Sequence, residues 1–167
     1  ELLLRNNQLT RIDCITFKHL NKLTLLRLDG NQIDTIDPKA FDNCTSLTQL
    51  GLSYNKLIQI DGNLFKKLTK LTRLDIDNNK IKKIEVKHFE TCLNLEWLNF
   101  NNNKLTSLHS HTFNKLSKLQ KLDLSNNIIR NELKLIFETR YLEILNFSFN
   151  YINIIKLEFT NGGSCQK

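Results

Sequence analysis

The stretch Leu71-Thr72-Arg73-Leu74-Asp75-Ile76-Asp77-Asn78-Asn79 is followed, 24 residues on, by Leu95-Glu96-Trp97-Leu98-Asn99-Phe100-Asn101-Asn102-Asn103. Both read L-x-x-L-x-(L/I/F)-x-x-N. The same spacing holds at Leu23-Leu26-Leu28-Asn31, Leu47-Leu50-Leu52-Asn55 and Leu119-Leu122-Leu124-Asn127, and after 23 residues at Leu142-Leu145-Phe147-Asn150. A partial first unit reads Leu2-Leu4-Asn7. Two positions after each Asn stands an apolar residue (Leu9, Ile33, Leu57, Ile81, Leu105, Ile129, Ile152), and most units add another three later (Ile12, Ile36, Ile60, Ile84, Leu108, Ile155). Phe recurs at positions 17, 41, 65, 89, 113 and 137. A fixed period of this length marks a stacked-repeat architecture.

Elementary geometry says what each column does. In L-x-L, alternate side chains point to opposite faces, so the leucines go inward and the x positions outward. One unit cannot bury its leucines alone, and stacked units share a continuous core. Neighbouring strands, about 4.8 Å apart, pair in parallel. The Asn that ends each strand carries donors and an acceptor, and turned inward it satisfies backbone groups of the adjacent loops that the sheet does not reach. The Phe column fills the wider outer side.

The pattern resembles the leucine-rich-repeat family in its 24-residue subtype, with a Phe on the convex side. The resemblance implies an α/β repeat solenoid, a horseshoe of about seven units with a parallel concave β-sheet and an irregular or short-helical convex side. The solenoid is expected over residues 1–157, with units beginning near 1, 23, 47, 71, 95, 119 and 142. Residues 158–167 are expected to form a frayed tail or the start of a C-terminal cap. The subtype is similar to the ectodomains of animal receptors, adhesion proteins and matrix proteins, including the Toll-like and Slit-like groups. This implies non-catalytic protein recognition on the concave face, outside the cell or on its surface. An intracellular or microbial adaptor of the same fold is the alternative. Met is absent and Glu1 falls inside a strand, with no cap before it. The chain is therefore expected to be a piece of a larger protein.

Composition narrows the rest. Of 167 residues, 40% are apolar and 25% charged, a globular balance. No apolar run reaches the roughly 18 residues of a membrane span, and no signal peptide is visible. Cys44 and Cys92 share one slot two units apart, so about 10 Å separates them, beyond the roughly 7 Å limit for a disulfide. Cys14 and Cys165 lie near opposite ends. No pairing within the chain is expected. His19, His88, His109 and His111 fall on the convex side, away from the concave acids, so no Ser-His-Asp set can assemble. No phosphate-binding glycine motif occurs. No catalytic residue, cofactor or metal is expected.

The formal charge of +7 is uneven. Outward strand positions carry four bases (Arg5, Arg27, Arg73, Lys121) and seven acids (Glu1, Asp29, Asp75, Asp77, Glu96, Asp123, Glu143), a balance of −3 that leaves +10 elsewhere. The expected ligand-binding centre comprises Tyr54, Arg73, Asp75, Asp77, Trp97, Asn99, Asn101, Lys121 and Asp123. Trp97 and Tyr54 would anchor the ligand and the acids would recognise basic side chains; Tyr, Trp and Arg are the usual hot-spot residues. Lys56, Lys80 and Lys104 share one slot in three successive units, joined by Lys82 and Lys83. This like-charge ladder suits either a polyanion such as a sulfated glycan or a solubilising flank; no aromatics are interleaved for base stacking, so no nucleic acid is expected. Asn43 and Asn146 head N-x-S/T sequons.

Overall fold

The computed structural model describes residues 1–160. In chain order the strands are β1 (Leu2–Leu3), β2 (Arg11–Ile12), β3 (Leu25–Arg27), β4 (Thr35–Ile36), β5 (Gln49–Gly51), β6 (Arg73–Asp75), β7 (Trp97–Asn99), β8 (Lys121–Asp123), β9 (Arg130–Phe137), β10 (Ile144–Asn146) and β11 (Tyr151–Phe159). One strand from each repeat builds a seven-stranded parallel sheet, in the order β1-β3-β5-β6-β7-β8-β10. Register follows the repeat: Leu50 stands against Leu26 on one side and Leu74 on the other. Equivalent positions therefore stack into columns. The other side of each turn is nearly free of helix; a single 3-10 turn, Val86–His88, is described.

The core is made of those columns. Leu26, Leu50, Leu74, Leu98 and Leu122 are fully buried, as are Leu28, Leu52, Ile76, Phe100 and Leu124. The six Phe residues of the 24-residue column are buried too, and Phe17 stacks on Phe41, Phe65 on Phe89 and Phe113 on Phe137, with the Phe65 and Phe89 ring centroids 6.2 Å apart. The Asn column works as expected. Asn55 Nδ2 donates to Leu28 O at 3.0 Å and Leu52 O at 3.1 Å, while its Oδ1 accepts from Ile33 N at 2.9 Å. Asn79 repeats this with Leu52, Ile76 and Leu57. Each amide thus ties two repeats together. Cys44 and Cys92 are buried free thiols and Cys14 is an exposed one; burial pushes the Cys92 thiol up to about 12. Cys165 lies outside the described residues.

The last two units depart from the others. β9 and β11 run side by side in parallel over eight paired positions and form a separate two-stranded sheet, far longer than the two-residue β2–β4 pair of the first units. Two sequence features account for it. Position 132, equivalent to Ile or Leu in most other units, is Glu. Beyond it Leu133, Leu135 and Phe137 alternate with a period of two, and all three are buried. The Lys134–Lys156 opposition is relieved by diagonal ion pairs, Lys134–Glu158 at 2.8 Å and Lys156–Glu132 at 2.7 Å. The order continues past the expected boundary at Leu157: Glu158 and Phe159 pair with Ile136 and Phe137, and Phe159 stacks on Phe137 at 5.5 Å. The remainder of the expected tail, 161–167, lies outside the described residues.

Candidate functional site

Register brings Arg73, Trp97 and Lys121 to one column across β6, β7 and β8. The Arg73 guanidinium lies 4.4 Å from the Trp97 ring centroid and the Lys121 ammonium 5.1 Å from it. The indole is therefore half-buried between two cations rather than openly exposed, which corrects the expectation of a bare aromatic anchor. Its Nε1 is covered and makes no hydrogen bond. Arg73 is oriented by Asp75, to which Nε donates at 2.8 Å and Nη2 at 3.2 Å.

The acids are engaged by side chains and amides of this chain, and Asp75 by cations. Asp75 is 3% exposed and bound by two guanidinium groups, Arg73 and Arg27. Arg27 sits two strands away and reaches it at 3.2 Å by passing over Gly51, which lies between them in register. A Cβ on Gly51 would fall 2.6 Å from Arg27 Nε and 2.5 Å from Asp29 Oδ1. The missing side chain makes the crossing possible. Arg27 and Arg5 both also hold Asp29. Asp77 accepts from Ser53 Oγ at 2.5 Å, Asn78 Nδ2 at 2.6 Å and Asn99 Nδ2 at 3.1 Å. Asp123 accepts from the Ser125 N–H at 2.9 Å and hydroxyl at 2.5 Å, and from Asn146 Nδ2 at 3.3 Å. Asn101 joins the ladder through Ser125 Oγ at 2.6 Å.

Comparison with known proteins agrees with the repeat fold. The Leucine rich repeat model matches residues 1–57 and 69–129, and the Leucine Rich repeats (2 copies) model matches residues 45–88. The chain belongs to the leucine-rich repeat family. No curated protein matches it in sequence. Among solved structures, the leucine-rich repeat domain of APL1B is 26% identical over 93% of this chain and 44% of that one, with a TM-score of 0.81. TLR13, solved in complex with ssRNA13, is 28% identical over 88% of this chain and 21% of that one, TM-score 0.74. A leucine-rich repeat protein of Leptospira interrogans is 25% identical over 95% of this chain and 42% of that one, TM-score 0.79. This chain spans less than half the length of each.

Other predicted site residues of this leucine-rich repeat fold scatter. Tyr54 is 63% exposed and lies at the sheet edge, away from the Trp97 column. It occupies a column whose members all have positive φ: Asn6, Gly30, Tyr54, Asn78, Asn102, Asn126 and Phe149. Asn and Gly tolerate that conformation, and bulky side chains strain in it. Phe149, 79% exposed, is the residue sequence reasoning missed there; the signal was an aromatic in a slot otherwise held mostly by Asn or Gly. Arg27 and Gly51 were missed as parts of the Asp75 network.

Lys56, Lys80 and Lys104 do form a ladder, each backbone N–H donating to the preceding repeat at Ile33, Leu57 and Ile81. Their side chains are exposed. Lys56 reaches Gln32 at 3.0 Å, and Lys83 pairs with Glu85 at 2.9 Å; Lys82 is exposed. A groove of about 410 Å³ on the loop flank includes Asp61, Glu85, Lys87 and His88 in its lining. Its polar groups are largely engaged: the His88 ring meets Ile60 O and the Glu85 N–H, and Glu85 holds Lys83 and Lys87. Asn43 is exposed. Asn146 is turned into the concave ladder, its Nδ2, the atom a glycan would use, bonded to Asp123. Among the described residues no His, Cys, Asp or Glu group is arranged to hold a metal, and no helix is long and apolar enough to cross a membrane.

Proposed function

We propose that this leucine-rich repeat segment recognises a protein ligand on its concave face, without catalysis, as part of a cell-surface receptor, adhesion or matrix protein. The fold supports a protein-interaction module. The observation that carries the finer reading is the Arg73–Trp97–Lys121 stack. The chain's single Trp lies near the middle of the sheet with its N–H unpaired, and a central aromatic flanked by Arg is the composition of an interface hot spot. The expected centre of Tyr54, Arg73, Asp75, Asp77, Trp97, Asn99, Asn101, Lys121 and Asp123 contracts on this reading. Arg73, Trp97 and Lys121 make contact, and the acids and amides hold the surface in shape. Likeness to TLR13 supports a receptor ectodomain. Likeness to the Leptospira interrogans protein favours a microbial leucine-rich repeat protein as the second reading.

A screen of secreted and cell-surface ectodomains tests the proposal. Binding abolished by Trp97→Ala and retained by the convex-side variant Lys67→Glu is the expected outcome. Binding that survives Trp97→Ala and fails in Lys67→Glu moves the interface to the convex side and overturns it. Glycan occupancy at Asn43 on secretion from animal cells would agree with an extracellular place.

A further inference from the structure

The chemistry of the ligand follows from which charges on the concave face are already satisfied. Formal charge suggests an acidic surface that attracts bases. Side-chain pairing changes what that surface offers. Asp75 is nearly inaccessible and neutralised by Arg27 and Arg73. Asp77 and Asp123 each accept three hydrogen bonds from neutral donors. A carboxylate has about four acceptor sites, so little capacity remains.

The donors beside Trp97 are in the opposite condition. Arg73 spends Nε and Nη2 on Asp75, and its Nη1 has no acceptor among the described residues. The Lys121 ammonium makes no ion pair or hydrogen bond there. Trp97 Nε1 adds a third unmet donor, itself buried. The exposed acids Glu96 and Glu143 stand one residue before Trp97 and Ile144. A buried unmet donor costs free energy that an incoming acceptor recovers.

Resting on the concave-face reading above, the geometry points to an acidic polypeptide segment as the part of the ligand that docks over Trp97. Its carboxylates would lie between Arg73 and Lys121. Charge complementarity selects this occupant. A carboxylate accepts from the remaining Arg73 Nη1 and from the Lys121 ammonium. An opposing Lys or Arg would meet two cations first.

Because Trp97 is the only Trp, its fluorescence reports this site alone. The purified chain is titrated with a ten-residue oligoglutamate, an oligolysine of equal length, and heparin. A saturable emission change with oligoglutamate is expected, weakened about tenfold by Lys121→Gln, the loss of one charge-assisted contact. Lys104→Gln should leave it unchanged. A Trp97 response to oligolysine instead would overturn the acidic ligand and leave the concave interface standing. Silence toward both peptides would also overturn the acidic ligand alone, since the ectodomain screen reads Trp97 independently. Oligoglutamate binding by another readout that leaves Trp97 silent and fails in Lys104→Gln would place recognition on the lysine ladder and overturn both readings. An equal Trp97 response to heparin would make the site a general polyanion site and overturn the peptide as its occupant.

Discussion

The seven strands of the main sheet present two faces built from one periodic sequence, and the faces obey different rules. Inward positions repeat the same residue: Leu26, Leu50, Leu74, Leu98 and Leu122 are interchangeable in burial and register. Outward positions along the neighbouring column read Arg27, Gly51, Asp75, Asn99 and Asp123. An inward leucine needs only apolar neighbours, so its energy is set by its own column. An outward side chain depends on residues one and two repeats away. Arg27 binds Asp75 because Gly51 leaves the space between them empty. The inward face is therefore additive and the outward face combinatorial.

The largest test of this contrast is Phe89→Ala. Phe89 is 1% exposed and its ring packs against Phe65, Phe100 and Phe113. Its removal should cost about 3–5 kcal/mol in chemical denaturation. A cost under about 1 kcal/mol would mean that the Phe column does not carry the fold. Next comes Asp75→Ala, which tests whether an outward residue can matter to the fold. It would leave Arg73 without its acid and cost Arg27, whose side chain is only 16% exposed, one of its two, Asp29 remaining. The expected loss is about 2–3 kcal/mol. If stability is unchanged, Asp75 is an ordinary surface acid and the two faces differ as simply as their sequence suggests.

Trp97→Ala should do much less to stability, about 0.5–1.5 kcal/mol, from two partly exposed cation–π contacts and some packing. A loss near that of Phe89→Ala would assign Trp97 to the core and remove it from ligand binding. This is also where sequence reading reached its limit. The leucine, Asn and Phe columns were legible because one residue in each unit reveals its role through period alone. The meeting of Trp97 with Arg73 and Lys121 was legible, since the three share a column. The polarity of that surface was not. Counting charges cannot show that Asp75, Asp77 and Asp123 are already occupied, because their partners Arg27, Ser53 and Asn146 lie in other units. The β9–β11 pair was missed for a related reason. The 24-residue template hides a period-two run such as Leu133-Leu135-Phe137 inside a loop.

The smallest effect belongs to Glu85, on the loop flank. Lys83 and Lys87 bond its carboxylate at 2.9 and 3.2 Å, and these hydrogen bonds hold its pKa down to about 2. A depressed acid contributes stability above its ordinary pKa and loses it as pH falls through the lowered one. The window for Glu85 thus runs from 4.5 down to about 2. The carboxylate is open to solvent, so water and salt screen the pair and no change in melting is expected across that window. An NMR titration should still find the carboxylate ionised to about pH 2, and Lys83→Gln with Lys87→Gln should return it toward 4.5. A titration that stays low in the double variant would show that the lysines are not its cause. One lysine of the expected polyanion ladder, Lys83, would then be free for other partners. A return toward the ordinary value keeps Lys83 occupied by its own neighbour, as Arg27 is on the concave face, with the difference that solvent leaves the Lys83 pair almost without energetic consequence.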